Sequence, residues 1–274
     1  MTQTHIIEHE AMKTTFVLRL LSDNALLAKQ VGNACIECID TMERQLSRHY
    51  PGSDIWQVNQ MQADQSLFIS EDSYECLRLA FVAHKRTGGL FDITLGRQIE
   101  HYKNTSAGPA PQLEGQLMID PERPAIHCIQ PGREIDLGGI GKGYTLDRLK
   151  VMCLEYGITS ALLASGTSTQ IAFGEKSWPI ELQSGTAKHT VQLANAALSA
   201  SGTGIQGCHI VSPDPKAPEA EYERIWLITD TAAMADAWST AAMLMSKAEL
   251  VSLSSQHLKI YVFEDGRIAP LLEK

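Results

Sequence analysis

The segment Ile135-Asp-Leu-Gly-Gly-Ile-Gly-Lys-Gly-Tyr-Thr-Leu-Asp-Arg-Leu149 combines an apolar start, a cluster of glycines and a helical pattern. Four glycines fall between Gly138 and Gly143, and Lys142 lies among them. Apolar residues then recur at helical spacing, so the segment predicts a strand or turn, a glycine loop and a helix. Glycines let backbone groups approach a ligand closely, and a helix N-terminus attracts anions. The segment therefore predicts either an anion-binding loop or a glycine-rich turn that binds nothing.

The spacing of this segment excludes two well-known phosphate-binding loops. A Walker loop requires Ser or Thr directly after its lysine, whereas Gly143 follows Lys142. A Rossmann fingerprint requires a third glycine three residues after Gly-x-Gly, and Leu146 occupies that position. Any nucleotide bound here is therefore held by a different kind of loop.

The composition is that of a globular protein with a substantial core. Hydrophobic residues make up 44% and charged residues 20% of the 274-residue chain. The net charge is −9 and no run of basic residues occurs, so nucleic acid is not an expected partner. No apolar run approaches the roughly 18–20 residues of a membrane span. An acidic enzyme can still bind an anionic cofactor, provided that a metal and local positive groups screen the charge.

The N-terminus and the cysteines predict a reducing compartment. Residues 1–10 are polar and lack the basic and apolar regions of a secretory signal. Six cysteines are scattered along the chain, and the pair Cys35 and Cys38 has no second pair at zinc spacing. Buried, unreactive thiols are therefore favoured over metal or redox use. We expect a cytoplasmic protein.

The periodicity of the chain predicts a mixture of helices and short strands. It predicts a long helix from Ala25 to about Arg48 and another from Met234 to Met245. A strand is predicted over 11–21. Further strands are predicted at about 126–129, 134–137, 160–164, 169–173, 178–183, 189–193, 224–229 and 258–263. This succession argues for an α+β fold over a purely parallel sheet. Without an internal repeat or a linker, we expect one domain, 1–274.

A carboxylate and a hydroxyl share one face of the second of these helices. Asp236 and Thr240 are four residues apart, so their oxygens lie on the same side. Together with a backbone carbonyl they are suitable ligands for Mg²⁺. The alternative is a helix-capping aspartate and a threonine bonded back to the helix backbone.

Two further residues stand in unusual surroundings. Asp92 lies beside the aromatic Phe91, shortly after the two glycines at 88 and 89. This context suits either a ligand site or a helix end that leads into a buried strand. His209 lies in an apolar stretch beside Cys208. A histidine in such a place is either a buried core residue or a base with a pKa near neutrality.

Taken together and in this order, these segments resemble the ApbE family of flavin transferases. The resemblance spans nearly the whole chain, and its most specific motif is the glycine loop. The motifs that carry it are His9-Glu-Ala-Met-Lys-Thr-Thr15, Ser53-Asp-Ile-Trp-Gln-Val-Asn59, Gly88-Gly-Leu-Phe-Asp-Ile-Thr94, Asp136-Leu-Gly-Gly-Ile-Gly-Lys-Gly-Tyr144 and Ala235-Asp-Ala-Trp-Ser-Thr240. The resemblance implies a single domain, related to the T-fold, of mixed and mainly antiparallel sheets with packed helices.

The resemblance also implies a magnesium-dependent enzyme that splits FAD and attaches FMN to a Thr or Ser of an acceptor protein. A metal on the diphosphate and an aligned nucleophile suit such a phosphoryl transfer. His209 is the implied base on the acceptor hydroxyl. Mg²⁺ is expected at Asp236, Thr240 and the carbonyl of Gly139. The residues expected to line the FAD site are Met12, Tyr50 (or the neighbouring His49), Leu90, Phe91, Asp92, Asp136 and Lys142.

Three departures from the family motifs leave other activities open. The chain has Ser165-Gly-Thr-Ser168 where the family usually has Gly-Gly-Asp. Ser201-Gly-Thr-Gly204 lacks the tyrosine that usually precedes the histidine, and Ser212 replaces an aspartate. The alternatives are a relative that only binds FAD and a relative that hydrolyses FAD to FMN and AMP.

Overall fold

An eight-stranded antiparallel sheet organises the computed structural model, which describes residues 2–104, 108–203, 210–213, 221–254 and 258–272. Its strands lie in the order β1-β2-β6-β7-β10-β11-β12-β13. In chain order they are β1 (Gln3–Ala11), β2 (Thr14–Ser22), β6 (Ala161–Ser165), β7 (Thr169–Phe173), β10 (Ala196–Gly202), β11 (Arg224–Thr229), β12 (Lys259–Glu264) and β13 (Arg267–Pro270). The predicted α+β class with mainly antiparallel sheets is confirmed.

The other described strands form two smaller antiparallel sheets. The three-stranded sheet has the order β3-β5-β4, and the remaining two strands form a hairpin. Their bounds are β3 (Gln65–Phe68), β4 (Gln116–Ile119), β5 (Ala125–Gln130), β8 (Trp178–Ser184) and β9 (Ala187–Leu193).

Seven helices are found in the described residues, and five of them begin at a side chain that accepts a backbone N–H of the first turn. Such caps satisfy donors that have no partner inside the helix. The helices are α1 (Ala25–Leu46), α2 (Asp54–Asn59), α3 (Glu71–Arg86), α4 (Gly96–Lys103), α5 (Gly141–Glu155), α6 (Ala232–Ala242) and α7 (Lys247–Leu253). None of these helices is long and apolar enough to cross a bilayer.

The two faces of the large sheet are covered differently. Helices α1, α5 and α6 pack on one face, where Phe16, Leu146 and Ile171 are among the fully buried side chains. On the other face the β8–β9 hairpin packs against a cluster that contains Trp226. Because α5 and α6 lie side by side on the first face, the glycine loop before α5 comes close to the side chains of α6.

Several elements differ from those that the sequence predicts. Strand β1 was not predicted, because it is an edge strand whose polar side chains alternate between exposed and half-buried positions. Residues 134–137 form no strand. The backbone N–H and C=O of Ile135 bond instead to the side-chain amide of Asn59, at 2.7 and 2.9 Å. Strand β10 was also missed, since its small residues carry little strand propensity. Helix α6 begins at Ala232, two residues before the predicted start.

Candidate functional site

A cleft of about 220 Å³ opens between the glycine loop, the segment 90–95, the end of β10 and helix α6. It gathers motifs that lie more than a hundred residues apart in sequence. The predicted site residues that line it are Leu90, Phe91, Asp92, Asp136, Gly139, Lys142, Asp236 and Thr240. The fold therefore brings these eight residues together around one cleft.

A second cavity of about 410 Å³ adjoins the cleft on the side of α1. Met12 and His49 line it, and Asp136 and Lys142 line both cavities. Met12 has a positive φ of 49°, and its backbone N–H donates to Glu43 Oε1 at 2.8 Å. The two cavities together offer an elongated groove that passes over the glycine loop.

Asp136 is fixed on both sides at the entrance to the glycine loop. Its Oδ1 accepts the backbone N–H of Gly138 at 2.8 Å, and its Oδ2 lies 3.3 Å from Arg48 Nη1. The side chain of Arg48 is only 8% exposed and also contacts Glu134 and Glu100. Since Arg48 holds Asp136 in place, it is a site residue that the sequence motifs did not indicate.

Lys142 closes the glycine loop on itself. Its Nζ donates to the carbonyl of Gly138 at 2.9 Å. Within the described part of the chain, Lys142 forms no ion pair with a carboxylate. Its charge is therefore available to an anion in the groove.

The wall opposite the glycine loop is shaped by Phe91 and Asp92. Asp92 Oδ1 accepts the backbone N–H and the hydroxyl of Thr94, at 2.8 and 2.7 Å. The backbone carbonyl of Phe91 lies 2.8 Å from His84 Nδ1. A Cβ at Gly139 would lie 3.1 Å from Phe91 Cε2, so glycine lets the loop pass close to this ring.

Asp236 is a buried carboxylate without a cationic partner among the described residues. The residue is 5% exposed. Its Oδ2 accepts the backbone N–H of Gly143 at 3.2 Å, and its Oδ1 accepts the hydroxyls of Thr169 and Ser199 at 3.3 Å each. A buried negative charge with only these weak contacts is costly unless a cation neutralises it.

Thr240 lies between Asp236 and the glycine loop. Its hydroxyl donates to the carbonyl of Asp236 at 3.1 Å, as the capping alternative expected. Helix α6, however, is capped by Thr231, so Asp236 is not its cap. A Cβ built at Gly139 would lie 3.1 Å from Thr240 Oγ1, which shows how near the loop backbone is to this hydroxyl.

The donor set at this point fits a hard divalent cation. A carboxylate, a hydroxyl and a nearby backbone are oxygen donors of the kind that Mg²⁺ prefers. No group of three or more His, Cys, Asp or Glu side chains suited to a metal occurs in the described ranges. Asp236 is thus the one carboxylate of this donor set, and its charge is otherwise unbalanced.

Helices α5 and α6 are locked together beside this donor set. Asp147 of α5 accepts the backbone N–H groups of Ala232 and Ala233 at 2.9 and 2.8 Å. A Cβ on Gly143 would lie only 2.2 Å from the carbonyl oxygen of Ala232, so the helices approach too closely for any side chain there. Burial raises the pKa of Asp147 to about 6, against the opposing effect of these backbone hydrogen bonds.

One predicted residue lines neither cavity, and another is not among the described residues. Tyr50 is 51% exposed and lines neither cavity, whereas the neighbouring His49 lines the second. His209 lies outside the described residues. Ile210 and Val211, which follow it in the chain, do line the cleft.

Known proteins resemble this chain over most of its length. A model of the ApbE family matches residues 12–263. A FAD:protein FMN transferase of Buchnera aphidicola subsp. Schizaphis graminum is 24% identical over 249 residues, which cover 78% of this chain and 73% of that protein. The Escherichia coli K12 protein of the same name is 21% identical over 277 residues, covering 89% and 79%.

Solved structures share the fold. The ApbE protein of Thermotoga maritima matches with a TM-score of 0.83 at 20% identity, covering 98% of this chain and 97% of that one. The flavin transferase ApbE of Vibrio cholerae matches with a TM-score of 0.82 at 14% identity, covering 98% and 96%. The chain belongs to the ApbE family. Like the curated relatives that match it, it is a transferase.

Proposed function

We propose that this chain is a magnesium-dependent FAD:protein FMN transferase, which moves FMN from FAD to a Thr or Ser hydroxyl of an acceptor protein. The observation that carries the proposal is Asp236, a buried carboxylate that pairs with no described cationic side chain and lies with Thr240 and Gly139 in the cleft of the glycine loop. The relatives named FAD:protein FMN transferase support it.

In this proposal Mg²⁺ is held by Asp236, Thr240 and the carbonyl of Gly139. When bound, the cation supplies positive charge to the diphosphate of FAD, which lowers the cost of the charge that develops during phosphoryl transfer. Lys142, which has no carboxylate partner in the described residues, adds a second positive charge at the same loop.

The flavin part of FAD is assigned to the apolar and acidic walls of the groove. Met12, Leu90 and Phe91 offer apolar contact for a ring system. Asp92 and Asp136 offer carboxylate oxygens to ring N–H or ribityl hydroxyl groups. His209 keeps its proposed role as the base that takes the proton of the acceptor hydroxyl. Ile210 and Val211, the next two residues in the chain, line the cleft.

The test separates transfer from the two alternatives in one reaction. Purified protein is incubated with FAD, Mg²⁺ and a cell extract that supplies acceptor proteins. Flavin fluorescence in a denaturing gel detects covalently bound FMN, and chromatography measures AMP. Fluorescent bands together with AMP support transfer. AMP and free FMN without labelled protein would select hydrolysis, and intact FAD would select a binding protein.

A further inference from the structure

Arg224, the first residue of β11, lines the same cleft as Asp236 and Thr240. It forms no ion pair with any described residue. Its Nε is buried and lacks a hydrogen-bond acceptor. None of the sequence motifs includes this residue.

The aliphatic stem of Arg224 packs against neighbouring residues, whereas its Nε–H forms no hydrogen bond with a described residue. Gly202 is its partner across the β10–β11 pairing, and a Cβ built on Gly202 would lie 3.1 Å from Arg224 Cγ. The guanidinium carbon lies 5.1 Å from the ring centroid of Trp226, whose side chain shares one face of β11 with that of Arg224 because the two residues are two positions apart. The stem and one face of the guanidinium therefore have fixed neighbours, but the buried Nε has no acceptor in the described part of the chain.

Other arginines near the groove contrast with this one. Arg48 lies against three carboxylates, and Arg133 lies 3.6 Å from Asp92 Oδ2. Half-burying a guanidinium without an anion is unfavourable, and burial here lowers the pKa of Arg224. A half-buried arginine that has no described carboxylate partner and lines a ligand cleft is suited to bind an anionic group of the ligand.

We propose that Arg224 is a substrate-binding residue that recognises a phosphate group of the flavin nucleotide. The proposal rests on the function proposed above, and it identifies a cationic contact at the β10–β11 end of the cleft. The cleft carries the carboxylates of Asp92, Asp136 and Asp236, which repel a diphosphate. The planar fork of a guanidinium offers paired donors to phosphate oxygens, which a lysine cannot reproduce.

The test compares ligands with and without phosphate. Affinities for FAD and for riboflavin are measured by quenching of flavin fluorescence, with wild type, Arg224→Gln and Arg224→Lys. We expect Arg224→Gln to weaken FAD binding roughly tenfold or more, since it removes a charged hydrogen bond. Riboflavin, which has no phosphate, should bind wild type and Arg224→Gln with equal affinity. The FAD affinity of Arg224→Lys should lie between those of wild type and Arg224→Gln.

The matched control is Arg123→Gln. Arg123 also lies over an aromatic ring, that of Phe68, but it pairs with Asp120 and does not line the cleft. Its FAD affinity should equal that of wild type, and thermal unfolding checks that each variant is folded. Unchanged FAD affinity in Arg224→Gln would overturn the proposal. An equal loss of riboflavin affinity would also overturn it, because it would show a purely structural role. Wild-type protein that binds neither ligand would contradict the proposed function itself and, with it, the ligand assigned to Arg224.

Discussion

The guanidinium of Arg48 and the carboxylate of Asp136, 88 residues apart in sequence, meet at 3.3 Å beneath the glycine loop. The same guanidinium donates to the carbonyl of Gly96 at 2.7 Å and to Glu134 Oε2 at 2.7 Å. One buried side chain therefore joins the end of α1, the start of α4 and the entrance to the loop. This contact and the backbone N–H of Gly138 fix the position of the Asp136 carboxylate in the groove.

Replacing Arg48 should destabilise the protein and loosen the groove. Arg48→Gln takes the cation from the nearly buried Asp136 and the partly exposed Glu134, so we expect a loss of about 3 kcal/mol in the free energy of unfolding. Urea unfolding measures it. Arg97→Gln is the control, because exposed Arg97 also contacts Glu134, at 3.5 Å, and should cost under about 1 kcal/mol. Equal effects of the two changes would show that Arg48 has no special role.

Asp236→Asn should separate metal binding from folding. The amide keeps the size of the side chain but removes the uncompensated charge. We expect Mg²⁺ to raise the melting temperature of wild type, because a ligand that binds only the folded state stabilises it. The variant should show no such shift and should lose at least about 100-fold in FAD turnover. Asp230→Asn, the same change at an exposed position before α6, is the control. A Mg²⁺ shift that persists in Asp236→Asn would remove the metal assignment.

Gly143→Ala should disrupt the crossing of α5 and α6. Its new Cβ would lie 2.2 Å from the carbonyl oxygen of Ala232, and backbone atoms cannot yield as a flexible side chain can. We expect a loss of about 2–3 kcal/mol in the free energy of unfolding. Gly141→Ala is the control, since its nearest neighbour is Leu137 Cβ at an ordinary 3.6 Å. Calorimetry that finds both variants equally stable would argue against the close crossing.

Asp147 should make part of the stability depend on pH. Its folded-state pKa of about 6 lies above its ordinary value of 3.8, so the folded state binds the proton more tightly than the unfolded state. This contribution is present below pH 3.8 and is lost as the pH rises through 6. It amounts to roughly 3 kcal/mol.

The comparison with Asp147→Asn isolates this contribution. Asn does not titrate, so the stability of wild type relative to the variant should fall between pH 4.5 and 7.5. The variant also loses one of the two backbone acceptors, but that loss does not depend on pH. Urea unfolding across this range gives the difference. A difference that stays constant with pH would contradict the raised pKa.

Local patterns in the sequence account for much of the fold. The helical periodicity from Ala25 predicted α1, and the small-residue pattern before Met245 predicted most of α6. The family motifs, taken in their order along the chain, predicted which segments lie close together in the fold. The structure places Asp136, Lys142 and Asp236 around one cleft. The roles assigned to these residues, and the single domain over 1–274, stay predictions.

The remaining features depend on contacts that no local pattern encodes. Arg48 and Asp147 look like ordinary charged residues of amphipathic helices, and their partners lie 88 and 85 residues away. Arg224 gives no signal either, because what distinguishes it is a buried Nε that has no acceptor among the described residues and a place in the lining of the cleft. Strand β1 escaped prediction because an edge strand does not need the apolar alternation of a buried one.

The strands of the large sheet follow one another across it in the order in which the ribosome makes them. The glycine loop is therefore synthesised about a hundred residues before the helix that carries Asp236 and Thr240. A nascent chain in which α6 has not yet emerged lacks the wall of the cleft that carries Asp236 and Thr240. A fragment that stops before α6 therefore cannot assemble this cleft, even if its earlier strands have already paired.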